Sequence, residues 1–134
     1  MKLLHPRNKR TRGATDPARL AAWRALSELF LDTELDDGEI AVIARELRST
    51  GFSVAELERI YEEEVAPACW CNLLAVPGGV WTGFNERWLV ETIPQYQQRS
   101  RFLDALPFLR RLRIRRWTRL SRTDWERVKH LLAR

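Results

Sequence analysis

Apolar residues recur at three- and four-residue spacing through most of the chain, the period of helices that bury one side. Asp16-Pro17 opens the first of them, with Asp as N-cap and Pro at the first helical position, where its missing N–H costs nothing. Leu20, Trp23, Leu26 and Phe30 then form one stripe, which predicts a helix to about Leu31. Ile40, Ile43, Ala44 and Leu47 mark a second helix, closed by Gly51 as the left-handed C-cap with Phe52 folded back onto it. Ser53-Val54-Ala55-Glu56 is a capping box that starts a third, with Leu57, Ile60, Tyr61 and Val65 on one face. That pattern continues through Ala68, Cys69 and Asn72, so a kink or break is expected near Pro67, whose ring meets the carbonyl of Glu63.

The second half is less regular. Pro77-Gly78-Gly79 is a turn leading into Val80-Trp81-Thr82-Gly83-Phe84. Asn85 caps a helix bearing Trp88, Leu89 and Ile93, which Pro94 should end or bend. Trp23 and Trp88 are both expected to be buried. Leu103, Leu106, Leu109 and Leu112 follow at spacing three, interrupted by Pro107, and then Ile114, Trp117 and Leu120 among many Arg. Thr123-Asp124-Trp125-Glu126 is a second capping box for a final helix carrying Val128, Leu131 and Leu132. The fold class is therefore all-α, a single bundle of about five to six helices. At 134 residues one core is expected: residues 1–15 as a basic flexible leader and 16–134 as one helical domain, with 99–134 its Arg-rich C-terminal part.

Charge changes this picture because it is segregated. Residues 1–15 carry +5, residues 16–97 carry −9 and residues 98–134 carry +9, within a total of +5. A basic average thus conceals an acidic body between two basic ends, and the C-terminal part could dock on that body or serve an external polyanion. No apolar run approaches the roughly 20 residues of a bilayer span, so a cytoplasmic protein without a membrane partner is expected.

The motifs that carry chemistry are missing. His5 and His130 lie at opposite ends, so neither a Ser-His-Asp nor a Cys-His grouping is suggested. Gly78-Gly79 lacks the Lys-Ser/Thr of a phosphate loop. Asp32 to Glu39 resembles a calcium loop, but the register fails. Counting from Asp32 puts Asp37 where the glycine belongs and Ile43 where the bidentate Glu belongs; counting from Thr33 places Gly38 correctly but ends on Ala44. Cys69 and Cys71 are too close for a disulfide and have no further ligands for a metal, so they are expected to be buried reduced thiols. No cofactor, no metal and no enzymatic activity are expected.

Several longer motifs, Ala25-Leu26-Ser27-Glu28-Leu29-Phe30-Leu31-Asp32-Thr33-Glu34, Glu64-Val65-Ala66-Pro67, Asn72-Leu73 and Trp81-Thr82-Gly83-Phe84 with Trp88-Leu89, resemble a family of short uncharacterised bacterial proteins. The resemblance covers about residues 20–93 and implies a bacterial source and a helical fold. It transfers no catalytic residues.

Two functions remain in view. The first is a protein-binding module, most concretely an immunity-type protein that covers a basic toxin domain with Asp32, Glu34, Asp36, Asp37, Glu39, Glu62 and Glu63. The second is nucleic-acid binding through Arg110, Arg111, Arg113, Arg115, Arg116 and Arg119, with Trp117 as a stacking ring. The acidic body and the lack of any helix-turn-helix or zinc-finger signature place the protein partner first.

Overall fold

Asp16 does cap the first helix, its carboxylate accepting from the Ala18 N–H at 3.4 Å. The computed structural model describes residues 16–31, 33–73, 84–103 and 106–134; the basic leader, Asp32 and the stretch from Pro77 to Gly83 lie outside them. Helix α1, Pro17–Ser27, tightens into a 3₁₀ turn, Glu28–Phe30, so the α-helix stops short of Leu31. Helix α2, Asp37–Ser49, has Asp36 as N-cap in a full capping box with Glu39. Gly51 follows it with φ +83°, the left-handed geometry that a side chain would strain.

Helix α3 is a composite: Val54–Ile60, a π turn at Tyr61–Val65, then Ala66–Cys69. The irregularity expected at Pro67 is thus a widening just before the proline. Ala66 donates its N–H to the Tyr61 carbonyl, five residues back. The wider turn relaxes the backbone that the pyrrolidine ring would otherwise crowd, and the helix continues past a buried Pro67. A 3₁₀ turn, Trp70–Leu73, ends it.

Helix α4, Glu86–Leu103, continues past Pro94, so of the expected end or bend the proline does not make an end. The proline forfeits one ladder hydrogen bond, but Leu89 and Ile93 beside it are fully buried and hold the helix to the core. Trp88 is the second correction: it is 38% exposed and stacks on Phe84 at 5.3 Å. It sits one residue, about 100°, around the helix from Leu89, so only one of the two can face the core.

Helix α5, Pro107–Thr118, begins at the proline that interrupts the leucine series. Residues three apart drift by about 60° per step on an α-helix, so that series cannot share one face. Leu109, Ile114 and Trp117 turn towards the body while Leu106, Phe108 and Leu112 stay exposed. Helix α6, Arg122–Leu132, starts one residue before the expected cap, with Ser121 as N-cap and no side-chain capping bond. The Ser121 hydroxyl is engaged instead with the Tyr61 hydroxyl at 2.6 Å.

Among the described residues all regular structure is helical, and six helices result when α3 counts as one. Helix α2 packs against α1 and α6, and α3 against α1, α4 and α5. Trp23, Leu26, Phe30, Leu47, Tyr61, Val65 and Trp125 form the centre of one continuous core. Tyr61 stacks on Trp125 at 5.1 Å and meets Phe30 at 5.9 Å, which joins α1, α3 and α6 through aromatic rings.

Candidate functional site

Three consecutive glutamates lie in the π turn, and each pairs with an arginine from a different helix. Glu62 accepts from Arg122 of α6 at 2.9 Å, Glu63 pairs with Arg110 of α5, and Glu64 takes both Arg19 of α1 and the Trp23 indole N–H, the last at 2.8 Å. Successive side chains leave a helix about 80 to 100° apart, so one short turn serves three neighbours at once. Glu62 and Glu63 were expected on an open acidic surface. Their carboxylates instead tie the C-terminal helices to the body, where partial burial favours pairing over solvation.

The same docking continues along α6. Lys129 reaches Glu58 at 2.8 Å and the Trp125 indole donates to the same carboxylate at 3.0 Å. Burial alone would raise the Glu58 carboxyl, but these two donors outweigh it and hold the group below its usual range. Arg127 bridges Asp37 at 2.6 Å and Asp124 at 3.0 Å, and Arg48 caps the end of α6 through the Leu131 carbonyl at 2.7 Å. Arg110, Arg122, Arg127 and Lys129 of the +9 segment are thereby paired with acids of the body.

The acidic loop divides as well. Asp36 and Glu39 are the capping box of α2, Asp37 is held by Arg127, and Glu34 is exposed. Asp32 lies outside the described residues. The expected acids therefore do not make one patch.

What the structure does bring together is a cleft of about 820 Å³ between α1 and α2, lined by Glu28, Asp36, Glu39, Glu46, Val42 and Phe84 together with Arg24. Arg24 is already paired with Glu86 at 3.0 Å. Burial pushes the Glu28 carboxyl up, and the Glu46 and Glu39 charges push it further. Glu28 and Glu46 were missed by sequence reasoning. Glu39 and Glu46 are seven residues apart on α2 and share a face, a signal that was present, whereas Glu28 joins them only through helix packing.

Of the basic candidates, Arg110 is used by Glu63 and Arg116 lies over the Trp70 ring at 5.5 Å. Arg113 lies over Trp117 at 4.7 Å, which turns that half-buried ring away from the role of an open stacking platform. Arg111, Arg115 and Arg119 are exposed. Among the described residues no group of three His, Cys, Asp or Glu side chains could hold a metal ion. Both cysteines are free: Cys69 is buried, which pushes its thiol up, and Cys71 is exposed. The two lie on nearly opposite sides of the helical turn, so only one can be covered.

These features define an all-helical domain whose basic C-terminal helices are tied by ion pairs to an acidic body. The chain belongs to the family of a domain of unknown function, DUF7079, whose model matches residues 17–131. The match extends well past residue 93, so the Arg-rich helices belong to the family domain too. No curated protein and no solved structure matches the chain.

Proposed function

We propose that the chain is a non-catalytic protein-binding module of the immunity type, working in a bacterial cytoplasm, whose cleft between α1 and α2 receives basic side chains of a toxin domain. One observation carries this reading: Glu28, Glu39 and Glu46 converge on the cleft while its one lining cation, Arg24, is engaged elsewhere. Burial first, and then the Glu46 and Glu39 charges, raise the Glu28 carboxyl, so an outside cation entering the cleft relieves the repulsion among the three. Val42, 43% exposed, and Phe84 offer apolar contact beside the charges. Complementary charge of this kind speeds encounter and selects the partner's sign. A nucleic-acid role has less support, since four of the seven residues first considered for it, Arg110, Arg113, Arg116 and Trp117, are engaged within the molecule.

An oligo-arginine peptide is a direct probe. Calorimetry should show binding that Glu46→Lys abolishes. It should also show proton release in mildly acidic buffer, because a bound cation draws the Glu28 carboxyl back down. Binding that Glu46→Lys leaves unchanged would remove the cleft from consideration. In cells, a strain lacking the gene should be overgrown by its parent in mixed culture and recover with the wild-type chain but not with Glu46→Lys; equal growth without the gene would defeat the immunity reading.

A further inference from the structure

The outward side of α5 is unusual for a helix on a protein surface, because it is both apolar and cationic. Six large hydrophobic residues are exposed among the described residues, and four of them, Leu106, Phe108, Leu112 and Leu120, fall on or immediately beside α5. Phe108 is 67% exposed and Leu112 47%. At about 100° per residue, Arg111, Arg115 and Arg119 project on the same side as these two. No Asp or Glu occurs from Ala105 to Thr123. Among the described residues the body's acids bridge to Arg19, Arg24, Arg110, Arg122, Arg127 and Lys129, and no ion pair involves Arg111, Arg115 or Arg119.

We propose that this face of α5 lies flat on an anionic lipid surface. Phe108 and Leu112 would enter the boundary between headgroups and acyl chains, while the three arginines bury their stems and keep their guanidinium groups at the lipid phosphates. A lipid surface uses both features of the face. A nucleic acid uses the arginines but gives Leu112 nothing to bury against, and stacking would need rings, of which this side has only Phe108. The expectation of no membrane partner rested on spanning length, and lying on a surface needs no span. The proposal is independent of the cleft between α1 and α2, which is built from other helices.

Vesicle flotation tests it, with phosphatidylcholine alone and with about 30% phosphatidylglycerol added to supply negative charge. The full chain should float with the anionic vesicles and stay behind with the neutral ones. Phe108→Ser with Leu112→Ser should weaken flotation about tenfold or more, since two apolar side chains leave the lipid. Arg111→Gln, Arg115→Gln and Arg119→Gln together should abolish the preference for anionic vesicles. These residues are exposed, so circular dichroism should show each variant folded. No flotation with either vesicle would overturn the proposal, as would flotation indifferent to the Phe108 and Leu112 changes. Salt-sensitive binding to single-stranded DNA that ignores those two residues, without flotation, would reassign the face to nucleic acid.

Discussion

Arg19 and Glu64, 45 residues apart, meet in a two-pronged ion pair, with Nε to Oε1 at 3.0 Å and Nη2 to Oε2 at 2.5 Å. The Trp23 indole shares Oε1 at 2.8 Å, so the same carboxylate fixes a core tryptophan and a helix-surface arginine. Glu64 is only 7% exposed. Its charge is tolerated because two guanidinium N–H groups and the indole N–H are aimed at it.

Removing that carboxylate leaves the indole N–H buried and unpaired. Glu64→Ala should therefore cost on the order of 3 kcal/mol in urea unfolding. Glu64→Gln keeps an acceptor for Trp23 and should cost clearly less. Equal losses for the two variants would mean that the indole bond contributes nothing and that the effect is one of charge alone.

The two tryptophans on expected stripes should now behave differently. Trp23 is 1% exposed, so Trp23→Ala should cost about 3 to 5 kcal/mol. Trp88, stacked on Phe84 near the surface, should cost about 1 kcal/mol. Denaturant midpoints measure both, and a larger loss at Trp88 would contradict its placement.

Burial pushes the Tyr61 hydroxyl from 10.0 up to about 12, with the Ser121 hydrogen bond and Arg122 opposing part of that rise. A folded pKa above the unfolded one means stability that is complete below about pH 10 and lost as pH climbs through about 12. The contribution at stake is roughly 3 kcal/mol. Comparing Tyr61→Phe with the wild type from pH 8 to 12 isolates it. The variant should lose about 1 kcal/mol at neutral pH for the missing hydroxyl bond and show a flatter alkaline decline. Parallel curves would refute the assignment.

Local patterns in the sequence determined the helices of the first half. Asp16-Pro17, Gly51 and the Ser53–Glu56 box act within a few residues of themselves, so their outcomes are readable without the rest of the chain. The buried faces of α1, α2 and α3 followed from the helical period for the same reason. Elsewhere a local signal met a competitor from far along the chain. The last helix starts at Arg122 instead of after Thr123, with the Ser121 hydroxyl taken by Tyr61, and α4 continues past Pro94 with Leu89 and Ile93 buried beside it. Charge behaved likewise. The segregation of acidic and basic residues was plain in the sequence, but which carboxylate meets which cation depends on the directions in which packed helices project their side chains. Glu62, Glu63 and Glu64 are adjacent in sequence and serve three different helices, whereas Glu28 and Glu46 are 18 residues apart and share one cleft. Only tertiary packing decides such pairings, because ion pairs and clefts are set by distances across helices, which a linear pattern does not contain.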